Sequence, residues 1–272
     1  DGFTLDCLSG TADQVNQFFN LGAISDFTLS NVQLSSRIGG LIRSGYEGTV
    51  ARARLERISG NIDPTNGMTV VDVAQCGRFE MIDTVITGAR GAGRKTGSMV
   101  RLKPISGAVC DTFRMEYCAL YCMDGVNRNM EIDMTDGSVT NLWMHANTFD
   151  QGVINNIRIT DGAAAARRWC RNSMLVANYF RLTRNTPDEA AINVNVDIDG
   201  SDTRFDNFTM TGGLVGFGPA AGFKVQRSNA ASQVNGCAVK GVNFAHQNAN
   251  AGLTPLAAVV DVGAPNVQVE GC

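Results

Sequence analysis

The sequence predicts an all-β chain wound as a coil of stacked parallel strands. Three observations carry that reading. A short apolar–charged–apolar pattern recurs along most of the chain, a second apolar pair follows each copy, and an Asn, Asp or Gly usually stands two residues after that pair. Bulk properties permit such a fold. At 272 residues the chain can bury a large core as one long domain. Charged residues make up 18% and the net charge is −3, which argues against a broad electrostatic grip on nucleic acid. No run of about 18 apolar residues exists, so no membrane insertion is expected.

Taken from the N-terminus, "TADQVNQFFNLG" (11–22) is the one convincing amphipathic stretch and predicts a short capping helix. Residues 1–23 therefore read as an N-terminal cap and 24–272 as the coil. The first repeat pattern centres on Arg43, Asp72, Arg101, Asp133, Arg158, Asp197, Lys224 and Asp261. The steps between centres are 29, 29, 32, 25, 39, 27 and 37 residues, which corresponds to about eight to nine coils. The signs alternate strictly. In a stack of parallel strands about 4.8 Å apart, equivalent side chains lie one above the next, and alternation is what such a column selects.

The second pattern places Phe79 over Phe113 over Leu142 over Met174 as an inward apolar stack. Two residues after the second apolar position come Asn31, Asp83, Tyr117, Ala146, Asn178, Gly212, Gly241 and Gly271, six of which belong to the types that tolerate positive φ. A left-handed residue there would bend the chain from one sheet face to the next.

The glycine-rich "GARGAGRKTG" (88–97) invites a phosphate-binding reading, which its spacing excludes. In a Walker loop Lys follows the second Gly directly, whereas here Arg94 follows Gly93 and Lys95 comes one residue late. The stretch after it, "SMVRLKPIS", alternates like a strand. The segment reads as a loop joining one coil to the next.

With those repeats the chain resembles the right-handed single-stranded parallel β-helix of the pectate-lyase type, over nearly all of residues 24–272. That architecture occurs in polysaccharide lyases, polygalacturonase-like hydrolases and phage tailspikes. The lyase aspartate cluster is not recognisable, nor are the hydrolase motifs Asn-Thr-Asp, Asp-Asp, Gly-His-Gly and Arg-Ile-Lys. The resemblance is therefore most like a phage tailspike or tail fibre.

Eight cysteines are present, and Cys118-x-x-x-Cys122 has no zinc-knuckle spacing. No metal and no cofactor is expected. Cys76 and Cys110 fall at equivalent positions of consecutive coils, and free thiols are expected because stacking already supplies a core. Reduced thiols suit a virion protein assembled in a bacterial cytoplasm; the alternative is a secreted protein.

Between the inward positions the register gathers Glu80, Arg114, Glu116, Trp143 and His145 on one outward face. Trp143 offers a flat face to sugar C–H groups, while Arg114, His145 and the carboxylates offer polar contacts. Glu116 and Glu80 are the candidate catalytic pair, since two carboxylates on one face can act as acid and base on a glycosidic bond. A second candidate is the insertion 163–190, with Arg167, Arg168, Trp169, Asp188 and Glu189. The expectation is a homotrimeric tailspike-like virion protein that associates with other virion or tail proteins and binds or depolymerises bacterial surface glycan. The alternatives are a stand-alone polysaccharide lyase or glycoside hydrolase, and a purely structural stalk.

Overall fold

A computed structural model describes residues 3–5, 18–34, 40–62, 69–88, 95–122, 126–152, 154–162, 166–182, 192–217, 221–246 and 260–272. The described chain is an all-β parallel solenoid without a helix. Nine strands form one sheet, and eighteen form a second that bends at the corners into further faces. Away from the two ends of the stack, strands pair in parallel with their equivalents one turn before and one turn after.

The core is a set of columns. One runs Leu29, Leu55, Met81, Met115, Met144, Leu175, Met210 and Val239 in unbroken register, continued on the last turn by an exposed Val269. Another carries Ile86, Leu120, Phe149, Phe180, Val215 and Phe244. Aromatic neighbours within columns stack nearly flat, with ring centroids 5.9 Å apart for Phe79–Phe113 and 5.1 Å for Phe149–Phe180. The nine-stranded sheet contributes Val71, Val100, Met130, Ile157, Val194 and Phe223 from the opposite wall.

Positive φ marks the bends at Asn31, Asp83, Tyr117, Ala146, Gly212, Gly241 and Gly271, as expected. Buried amides satisfy the backbone there. Asn147 Oδ1 accepts from the Cys118 N–H at 2.9 Å, and its Nδ2 donates to the Met115 carbonyl at 2.9 Å and to Asn178 Oδ1 at 3.0 Å. Asn178 Oδ1 in turn accepts from the Asn147 N–H, and its Nδ2 donates to the Met144 carbonyl. The row ends at Gly213, with φ of +82°, where a Cβ would stand 2.2 Å from the Asn178 carbonyl oxygen. A second buried row, Asn129–Asn156–Asn193, lies on the nine-stranded sheet and ties it to the other by donating to the Asp150 and Arg181 carbonyls.

Four details of the sequence reading shift. The charge column is real but runs Arg43, Asp72, Arg101, Glu131, Arg158, Asn195, Lys224, Asp261. Asp133 and Asp197 stand two residues beyond it, in the next column with Thr160. Both stretches, "MEIDM" and "VNVDI", alternate on either side of the slot, and a slip of two leaves every side chain on its own face. Periodicity alone cannot detect it. Met174 is not inward: Trp143 pairs with Met174 and Met144 with Leu175, so Ser173 occupies the column under Leu142. A run of apolar residues from Met174 to Val176 hides that one-residue slip, and the left-handed residue moves with it from Asn178 to Ala177. Of the stretch read as a capping helix, Phe19–Leu21 is a strand paired with Ile42–Ser44, and 11–17 lie outside the described residues. Finally, Lys95–Leu102 is a strand, so the glycine-rich connection is shorter than 88–97; residues 89–94 lie outside the described residues.

Alternating charge in the column produces direct pairing. Arg101 Nε and Nη2 grip Asp72 at 2.9 and 2.7 Å, Lys224 reaches Asp261 at 3.6 Å, and Arg158 reaches Glu131 at 3.7 Å. Cys76 and Cys110 are register partners on consecutive turns, and both are buried free thiols.

Candidate functional site

Adjacent strands Cys76–Ile82, Val109–Glu116, Leu142–His145 and Arg168–Val176 build the face singled out by the sequence. Alternation along each strand turns every second residue outward. The parallel register then aligns Glu80, Arg114, Trp143 and Met174 in one row, and Ile82, Glu116, His145 and Val176 in the next. All five residues expected to share a face do so.

Their contacts form one network. Arg114 Nη2 sits 2.7 Å from Glu116 Oε2, and Trp143 Nε1 donates to Glu116 Oε1 at 2.7 Å. Arg114 Nη1 also reaches Glu80 at 3.7 Å. Glu80, only 4% exposed, gathers two further guanidinium groups, Arg78 at 2.7 Å and Arg54 at 3.7 Å. Each oxygen of Glu116 thus has a donor, and the Trp143 indole is locked in orientation by a strand-borne partner.

This electrostatics bears on the catalytic reading. The hydrogen bond from Arg114 holds the Glu116 carboxyl below the usual glutamate range; partial burial opposes that shift and the Trp143 donor adds to it. A general acid of a glycosidase needs its pKa raised so that it holds a proton at working pH. Glu116 is tuned the other way, and Glu80 spends its oxygens on three arginines. The pair is arranged for ionic positioning.

Two residues of the face are not evident in the sequence pattern. Tyr117, at a left-handed corner with φ of 54°, is 56% exposed and meets the His145 ring edge-on at 5.4 Å. In the sequence it stands out only as a bend residue. Met174, 40% exposed beside Trp143, is hidden by the register slip that places it inward. With them the face carries a row of exposed or half-exposed apolar surface, Tyr117–His145–Trp143–Met174, bordered by Arg114, Glu116 and Glu80. Trp143 and His145 ring centroids are 6.3 Å apart. A sugar ring could lie on this row while its hydroxyls meet the charged border.

Trp169 does not join that cluster. It lies on the same strand as Met174 but before the left-handed corner at Asn172, and so belongs to another face. Its backbone N–H donates to Ser138 Oγ, and Arg171 sits over its ring at 5.2 Å. Arg167 pairs with Asp202 at 3.0 Å. Asp188 and Glu189 lie outside the described residues. Among the described residues, no group of His, Cys, Asp and Glu is arranged to hold a metal ion. No family model matches the chain, and no curated protein or solved structure shows a significant similarity to it.

Proposed function

We propose that this chain is a tailspike-like virion protein that binds bacterial surface polysaccharide on the face around Trp143, as part of a homotrimer attached to other tail proteins. The observation carrying the reading is the row Tyr117–His145–Trp143–Met174 on a parallel sheet, exposed at Tyr117 and Met174 and partly exposed at His145 and Trp143, bordered by charged partners. Aromatic and apolar groups supply flat contact at low entropic cost, because strand and hydrogen bond already fix them. The buried free thiols are compatible with assembly in a reducing cytosol. Binding, with cleavage secondary, fits a Glu116 held ionised by Arg114.

The test is to titrate the protein against a panel of purified capsular and lipopolysaccharide polysaccharides, follow released reducing ends, and measure mass by light scattering. The reading expects saturable binding to one polymer, little release, and a trimer. Release at enzymatic rates by a monomer would instead identify a stand-alone lyase or hydrolase. A trimer that binds no polymer would be a structural stalk.

A further inference from the structure

On the other side of the Asn172 corner the chain assembles arginines that the fold does not neutralise. The register places Trp169 directly beside Arg204 on the next turn, and Arg171 beside Asp206. Arg171 spends its Nε on Asp206 Oδ2 at 3.2 Å, and Asp206 also accepts from Asn235 Nδ2 at 2.9 Å. Arg167 is matched by Asp202. Arg168 and Arg204 are not matched: among the described residues no carboxylate pairs with either. Arg168 donates only to main-chain carbonyls, to Arg167 at 2.9 Å and to Thr135 at 3.4 Å. Arg204 Nε is buried and makes no hydrogen bond.

A buried guanidinium donor left without an acceptor is costly, and planar forked donors of this kind suit carboxylates. Elsewhere on the solenoid an acid one turn away meets the arginine, as Asp72 does for Arg101 and Asp150 for Arg181. Here the neighbour on the preceding turn is an aromatic ring, Trp169, and on the following turn an uncharged Gln233. Arg171 covers one side of the Trp169 ring, and a sugar acid would use what remains: the other side of the indole for the pyranose face and the neighbouring unpaired Arg204 for the carboxylate.

We infer that Trp169 and Arg204 form a second saccharide site, distinct from the Trp143 face, that selects residues bearing a carboxylate. This deepens the glycan-binding reading by naming an acidic component of the polymer. It rests on that reading for its biological meaning, but the site can be probed by itself.

In a Trp143→Phe background Trp169 is the sole tryptophan, so its fluorescence reports this site whether or not the Trp143 face binds anything. The probes are an oligoglucuronate, a neutral glucose oligomer of equal length, and inorganic phosphate, all at matched ionic strength. The expected result is a saturable change with oligoglucuronate and none with the neutral oligomer. Phosphate, which has no ring for the indole, should act at least tenfold more weakly. Arg204→Met, which keeps the apolar stem, should weaken the uronate response by about tenfold or more, the scale of a lost charge-assisted hydrogen bond. Equal response to the neutral oligomer, a phosphate response as strong as the uronate one, or an unchanged response in Arg204→Met overturns the inference. If Trp143→Phe does not fold, the two indole N–H resonances of the otherwise unmodified protein distinguish the same outcomes, with Trp169→Phe assigning them. Because the two faces are read separately, loss of polysaccharide binding at Trp143 leaves this result standing, and the reverse holds as well.

Discussion

Replacing Trp143 by alanine separates what the candidate face does for binding from what it does for the fold. The side chain stands on the outward row between Arg114 and Met174, while Leu142 and Met144 beside it point inward and are buried. Trp143→Ala therefore leaves the core columns intact. It removes one hydrogen bond, Nε1 to Glu116, and Glu116 keeps Arg114 at 2.7 Å on its other oxygen. The stability loss should be about 1 kcal/mol, the scale of a single hydrogen bond shared with water. For a chain of this length that corresponds to a fall in Tm of roughly 2–4 °C. Binding should suffer more. An aromatic anchor fixed on a strand typically contributes about 2 kcal/mol or more, hence about thirtyfold in Kd. Calorimetric titration with the polysaccharide that the wild-type protein binds, alongside thermal unfolding by circular dichroism, measures both. A folded Trp143→Ala protein with unchanged Kd would refute the assignment of this face. A collapse of the fold would refute the outward placement of the ring.

Three further outcomes follow from the same geometry. Asn147→Ala should destabilise by about 2–5 kcal/mol, because it orphans the buried Cys118 N–H and strips Asn178 of a partner, and chemical denaturation would show it. Glu116 has a folded pKa below its usual 4.5, so the stability it contributes is present above that value and is lost as pH falls through the lower folded pKa; the stability of Glu116→Gln should vary less with pH across that acidic window, in unfolding measurements from pH 6 downward. Burial raises the Cys76, Cys118 and Cys237 thiols to about 12 and Cys170 to about 11, whereas Cys272 is exposed. Iodoacetamide at neutral pH should accordingly label Cys272 in the native protein and the buried thiols only after unfolding, and a linked 76–110 peptide in the mass spectrum of unreduced protein would contradict the free pair.

Much of this arrangement is legible residue by residue. Glu80 over Arg114 over Trp143, and Glu116 over His145, follow from apolar pairs whose spacing is unambiguous on three consecutive coils. Legibility ends where the chain offers two equivalent alignments. Glu131 cannot be chosen over Asp133, because both are acids flanked by apolar residues and the two registers bury the same faces. Leu175 cannot be chosen over Met174, because three apolar residues in a row carry no period of two. Tyr117 shows in the sequence only through its backbone position, although the left-handed turn that strains it also projects its ring outward beside His145.

The sequence by itself determined that the chain is a parallel coil, most of the residues that line its core columns, and that one tryptophan, one histidine, one arginine and two glutamates meet on a single face. These follow from period, because a stack repeats its environment every turn and selects the same chemistry at each level. Only the tertiary structure decided the pairings within that frame. It gave Glu116 to both Arg114 and Trp143, surrounded Glu80 with three guanidinium groups, and left Arg204 beside Trp169 with no acid to meet it among the described residues. The physical reason is that side-chain partners are chosen across turns about 30 residues apart, where a slip of one or two positions is invisible to hydrophobic pattern yet changes every hydrogen bond.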